Sequence, residues 1–151
     1  MSDLRELYQE LILDHGKKPR NFGPLTDANR QAVGHNPLCG DRLTVRLAVT
    51  DGTVTDLKFE GAGCAISMAS ASLMTQALKG RSEQEARELF EKFHGLVTGA
   101  DDDLLTEMNG MEKLAVFTGV REFPMRVKCA TLAWHTLTAA LANSSQPVTT
   151  E

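Results

Sequence analysis

Cys39, Cys64 and Cys129 are the three cysteines of this 151-residue chain, and their surroundings favour chemistry. Cys39 lies in Asn36-Pro37-Leu38-Cys39-Gly40-Asp41, a Pro/Gly loop in which a side chain can move. Cys64 follows Gly61-Ala62-Gly63 and precedes a run that reads as a helix. Cys129, in Arg126-Val127-Lys128-Cys129-Ala130, is expected in the first turn of another helix. A helix N-terminus depresses a thiol's pKa because its dipole and free N–H groups stabilise thiolate. Lys128 and Arg126 add positive charge beside Cys129. Thiolate is both the metal ligand and the sulfur nucleophile, so these residues suit a zinc ion, an iron–sulfur cluster or a sulfur relay. Asp41, close after Cys39, supplies a fourth donor and an S₃O set of the kind tetrahedral zinc accepts. Three thiolates and one carboxylate carry four negative charges. A zinc dication and a [2Fe–2S]²⁺ core reduce that sum equally, so charge does not choose between them. The spacing is not the Cys-x-x-Cys of a zinc finger. The ligands would have to converge from a loop and two helix starts, which spacing alone does not establish. Free cysteine is also a common small core residue, and Asp41 could serve as a turn or cap residue.

The remaining polar residues add little. His35, in the loop before Cys39, is the one histidine expected near the site. His135 follows Cys129 by about 240° around the helix at 3.6 residues per turn, so it is expected to point away and lie at the surface. His15 and His94 sit near helix ends, where a charged imidazole suits the dipole. Asp101, Asp102 and Asp103 read as the acidic start of a short helix near 102–109 rather than as a metal site. There is no local Ser/His/Asp signature and no phosphate-binding glycine loop.

The elements that must position these residues follow from periodicity. Leu4, Leu7, Tyr8, Leu11 and Ile12 mark an amphipathic helix over 3–15, with Gly16 as its C-cap. Leu43, Val45, Leu47 and Val49 alternate as a half-buried strand. Asp51-Gly52 then predicts a hairpin into a strand over 53–60, with Leu57 and Phe59 on one face. Val54 is out of step, which predicts a bulge. A further strand is expected around 29–34. Residues 65–79 read as a buried helix closed by Gly80. Ser82 and Glu85 form a capping box opening a helix over 83–94, closed by Gly95, with Leu89, Phe90 and Phe93 inward. Leu114 to Phe117 belong to a short helix or turn closed by Gly119. Pro124 opens the last helix, over 125–142, with Val127, Ala130, Trp134, Leu137 and Leu141 on one face. The order is an α+β plan: a small antiparallel β-sheet packed by several helices.

Length suits one domain, expected over 1–143 with a polar, frayed tail over 144–151. With 42% hydrophobic and 24% charged residues the chain can bury a core without disulfides. No window approaches a membrane span, and the acidic, amphipathic start resembles neither a secretory signal nor a transit peptide. A net charge of −4 argues against nucleic acid as the main partner. The expected location is cytoplasmic, where disulfides rarely persist.

Pro19-Arg20-Asn21-Phe22-Gly23, Asn36-Pro37-Leu38-Cys39-Gly40-Asp41, Gly61-Ala62-Gly63-Cys64-Ala65-Ile66-Ser67 and Lys128-Cys129-Ala130 resemble, in order, the motifs of the IscU/SufU family of iron–sulfur cluster assembly proteins. The resemblance covers nearly the whole chain. It implies an α+β fold with the three cysteines converging at one end of the sheet. Scaffold-type members carry His before the third cysteine. Here Lys128 stands there, and the 80–125 stretch supplies an extra helical insert, as in the SufU branch. That branch implies zinc held by Cys39, Asp41, Cys64 and Cys129, and a role as sulfur acceptor for the cysteine desulfurase SufS. Cys39 would leave the zinc when a desulfurase histidine replaces it, then take the persulfide sulfur and pass it to downstream assembly proteins. Arg126, in an Arg-x-Lys-Cys pattern, would help dock the desulfurase. The alternative is a scaffold that assembles a [2Fe–2S] cluster on Cys39, Cys64 and Cys129.

Overall fold

The computed structural model describes residues 2–37, 40–98, 114, 116–117, 120, 123–142 and 148–149. In chain order these form α1 (Ser2–Lys17), β1 (Arg30–Asn36), β2 (Asp41–Thr50), β3 (Thr53–Ala62), α2 (Ala65–Leu78), α3 (Glu83–Thr98), α4 (Pro124–Leu141) and β4 (Val148–Thr149). The helix expected near 102–109 lies outside the described residues. So does much of the turn around Leu114, where Leu114, Val116, Phe117 and Val120 are buried.

The strand order is β3-β2-β1-β4. The first three strands pair antiparallel as a meander, and β4 joins the β1 edge in parallel. Asp51 (φ 52°) and Gly52 (φ 76°) turn β2 into β3 with both central residues left-handed, the geometry a two-residue hairpin needs. The ladder slips after Ala48↔Asp56, so that Val49 faces Val54 and Thr55 is left over. That bulge returns Val54 to the buried face, which resolves its broken alternation. Leu43, Val45, Leu47, Leu57 and Phe59 are fully buried beneath the helices. Each such side chain contributes about 1.5–3 kcal/mol relative to exposure.

α4 packs on β1 and β2, α2 packs on α4 and α1, and α3 packs on α4. Trp134 of α4 is fully buried, stacks on Phe93 of α3 at 4.5 Å, and donates its indole N–H to Ser70 Oγ of α2 at 3.1 Å. One aromatic residue thus joins three helices. The Arg20-Asn21-Phe22-Gly23 loop lies along β3: Phe59 N–H donates to Asn21 O (3.0 Å) and Gly23 N–H to Phe59 O (2.9 Å). Asn21 takes φ 55° there, and its side chain donates to Thr75 Oγ1.

Several expectations change. α1 does not stop at Gly16. It continues to Lys17, and Gly16 permits close approach instead: a Cβ there would stand 3.2–3.3 Å from Ala65 atoms. α3 runs through Gly95 to Thr98 because Leu96 and Val97 add two buried residues to its inner face. His15 is buried and hydrogen-bonded to Ser72 Oγ at 2.7 Å, so it is a cross-helix contact rather than a dipole cap. The tail, expected to be frayed, contributes β4 at Val148–Thr149. Among the described residues, no helix is long and apolar enough to cross a membrane.

Candidate metal centre

The ends of β2, β3 and α4 meet at one end of the sheet. The register sets Asn36 opposite Asp41 across β1 and β2, and Arg42 opposite Ala62 across β2 and β3. The first residue of β2 is therefore held beside the segment that leads from β3 into α2. Gly61 makes this approach possible. At φ 144° it lies over the Arg42 carbonyl, where a Cβ would collide with backbone. Gly63 clears the next space, since a Cβ there would stand 2.7 Å from Asp41 Oδ1.

Asp41 is fully buried, and its Oδ1 accepts the Cys64 N–H at 2.9 Å. Cys64 is the N-cap of α2, and its Sγ accepts the Ser67 N–H at 3.5 Å. The same sulfur lies 3.8 Å from Asp41 Oδ2. Cys129 is buried on α4, with Asn36 Nδ2 donating to its Sγ at 3.7 Å. One carboxylate oxygen of Asp41 and the Sγ atoms of Cys64 and Cys129 all lie within 4.8 Å of one another. Cys64 is exposed while the other two are buried, so the cluster opens to solvent on the Cys64 side.

This donor set fits a metal ion. Two ligands sharing a tetrahedral zinc at about 2.0–2.3 Å stand roughly 3.6 Å apart, close to the observed packing. The convergence expected of Cys64, Cys129 and Asp41 is therefore present. Cys39 lies outside the described residues, between Pro37 and a Gly40 whose N–H bonds back to Asn36 O at 2.9 Å.

Against known proteins, residues 7–149 match the NifU-like N terminal domain. The chain belongs to this family. The IscU/SufU resemblance is borne out by relatives and by fold. This NifU-like domain is 42% identical over 141 residues to the zinc-dependent sulfurtransferase SufU of Bacillus subtilis, covering 93% of each chain. It is 38% identical over 145 residues to the iron–sulfur cluster assembly scaffold protein IscU of Streptococcus pyogenes, covering 96% of this chain and 89% of that one. A solved structure from Fervidobacterium islandicum, described as a scaffold protein for the SUF system, superposes with a TM-score of 0.79 at 34% identity. It covers 91% of this chain and 98% of its own.

The NifU-like domain departs from the sequence expectation at three residues around the site. Cys129 is not in the first turn of its helix. α4 begins at Pro124, which puts Cys129 in the second turn, beyond the free N–H groups. Its described donor is the Asn36 side chain instead. His35 belongs to β1, not to a loop. Ala32, Gly34 and Asn36 are the buried alternation of that strand, so His35 projects from the opposite face to Asn36. His135 is half-buried between α3 and α4, with its ring 5.1 Å from Phe90 and 6.0 Å from His94. Burial, and then the neighbouring His94, hold its pKa below the ordinary value. Arg126 is exposed, with its guanidinium 5.0 Å from the Phe123 ring centroid. Phe123 and Met125, both about half exposed, flank it at the start of α4. Asn36, Gly63 and Ser67 were visible in the sequence only as parts of motifs. Nothing in their residue types marks them as neighbours of sulfur.

Proposed function

We propose that this NifU-like chain is a zinc-dependent sulfurtransferase of iron–sulfur cluster biogenesis, taking persulfide sulfur from a SufS-type cysteine desulfurase onto Cys39. The observation that carries this reading is the compactness of the Asp41, Cys64 and Cys129 donor set, within 4.8 Å throughout. One tetrahedral ion needs its ligands this close together. A buried carboxylate among the thiols also suits zinc, which binds oxygen and sulfur alike.

Cys39, close before Asp41 in the chain, supplies the fourth ligand. Bound zinc keeps the thiols deprotonated at neutral pH and takes no part in redox chemistry. The chain's own residues do the rest. Asp41 is locked in place by the Cys64 N–H and by its burial. Cys129 is held by Asn36. The Cys39 thiolate attacks the terminal sulfur of the desulfurase persulfide. A new S–S bond forms on Cys39, the old one breaks, and the desulfurase cysteine leaves as thiolate, so no external oxidant or reductant is required. Downstream iron–sulfur assembly proteins then receive the sulfur. Arg126, with the exposed Phe123 and Met125, forms a charged and apolar surface suited to docking the desulfurase. The reaction belongs in the cytoplasm, where free thiols persist.

The test is desulfurase turnover with and without this protein. Cys39→Ala is expected to abolish the stimulation given by the wild-type chain. Full stimulation by the variant would remove Cys39 from the mechanism. A second reading is supported by the relatives whose names describe cluster scaffolds: a [2Fe–2S] cluster assembled on Cys39, Cys64 and Cys129 and passed on intact. Elemental analysis of protein purified without oxygen separates the two. The sulfurtransferase gives about one zinc per chain. The scaffold gives iron with matching acid-labile sulfide, and after anaerobic reconstitution it transfers a cluster to an apo-ferredoxin.

A further inference from the structure

Ser67 breaks a rule that the other helical hydroxyls of the interior obey. Ser70 donates to the Ala130 carbonyl and accepts the Trp134 indole N–H. Ser72 accepts the Arg20 N–H, and Thr75 donates to the Ser72 carbonyl. Thr131 and Thr136 on α4 donate to carbonyls one turn back. Ser67 is fully buried, yet its Oγ is the one buried side-chain nitrogen or oxygen among the described residues with no hydrogen-bond partner. A hydroxyl in water has partners, so enclosing one without any carries a desolvation cost.

Its place identifies the missing partner. Ser67 is in the first turn of α2, one turn from Ser70 and nearer Cys64, so it shares the face that packs on α4 beside Ala130. Side chains on a helix lean toward its N-terminus. The Ser67 Cα–Cβ bond therefore tilts toward the Cys64 end of the helix, from which a rotation of the hydroxyl can face the sulfur, and the Ser67 N–H already meets Cys64 Sγ at 3.5 Å. We infer that the Ser67 hydroxyl is a positioning donor for the metal centre, giving its hydrogen bond to the Cys64 thiolate once the site is filled. This rests on the zinc reading above. A donor there offsets part of the charge that three thiolates and a carboxylate bring together, and it fixes the direction of the Cys64 sulfur. The protein carries an unsatisfied hydroxyl when empty and satisfies it when loaded.

The experiment measures zinc affinity by competition with a chromophoric chelator, and thermal unfolding of the metal-free chain, for wild type, Ser67→Ala and Ser70→Ala. Ser67→Ala is expected to weaken zinc binding about 10-fold, as loss of a ligand-orienting partner does, while the metal-free melting temperature holds or rises. Ser70→Ala is expected to do the reverse: lower metal-free melting, because Trp134 loses its acceptor, with unchanged zinc affinity. Unaltered zinc affinity in Ser67→Ala overturns this inference alone. A lower metal-free melting temperature in Ser67→Ala also overturns it, by revealing a structural partner for the hydroxyl. A wild-type chain that binds no zinc overturns the metal reading as well.

Discussion

A ligand's strength as a donor is set by what stands behind it. Asp41, Cys64 and Cys129 stood out as candidates from residue type and setting, although a core cysteine or a capping aspartate is an ordinary use of the same types. The residues that hold them were not legible. Asn36 reaches Cys129 only because α4 packs on β1, and Gly63 matters only because Asp41 Oδ1 fills the volume its side chain would take. Gly63→Ala tests this without altering a ligand. Its Cβ would stand 2.7 Å from Asp41 Oδ1, so the carboxylate must move. Zinc affinity is expected to fall at least about 10-fold, in line with other disturbances of ligand orientation, with little change in metal-free melting. Wild-type affinity in that variant would mean that the carboxylate does not hold the ion.

Elements were read well where the chain encodes them locally, and poorly where Gly16 and Gly95 read as helix ends. The Asp51-Gly52 hairpin, the bulge at Val54 and the Ser82/Glu85 capping box need only neighbouring residues, and all three are present. Gly16 and Gly95 were expected to end helices, but glycine also occurs where backbones pass closely or where burial further along carries the helix on. Neither circumstance is visible in a local window. The capping box gives two predictions. Ser82→Ala should destabilise the fold by about 1 kcal/mol, the usual cost of an N-cap, read as a lower melting temperature. The Ser82 N–H and hydroxyl, with Arg81, hold the Glu85 pKa below its ordinary value. A depressed carboxylate stabilises the fold above its unfolded pKa and loses that contribution as pH falls through the folded one. Glu85→Gln should therefore flatten the acid limb of stability measured below about pH 4.5. An unchanged acid limb would show that the box contributes no charge-dependent stability.

At the level of the molecule, the α+β plan was legible because helical and alternating periods occupy separate stretches. Which side chains burial would claim was not, since tertiary packing decides it. His135 was expected at the surface and is instead half-buried against α3, and His15 is sealed against α2. Lowering the His135 pKa has a sign: the unfolded chain takes up its proton first as pH falls below about 6.5, so stability declines from there until the folded pKa is passed. His135→Phe should reduce the loss of stability between pH 7 and pH 5 in urea unfolding. An equal loss in the variant would assign it to other groups. Trp134 joins α2, α3 and α4, and Trp134→Ala is expected to cost about 3–5 kcal/mol, a large part of a domain's stability.

The centre also has a topological consequence. Asp41, Cys64 and Cys129 come from distant parts of the chain, so an ion held there clips together a loop of 23 residues and the much longer stretch from Cys64 to Cys129. It would act on the unfolded ensemble as a reversible staple, removing loop entropy as a cross-link does. In the proposed relay Cys39 is the ligand that leaves, so Asp41, Cys64 and Cys129 would keep the sheet's end tied to the last helix throughout, and the staple would stay closed while the sulfur moves.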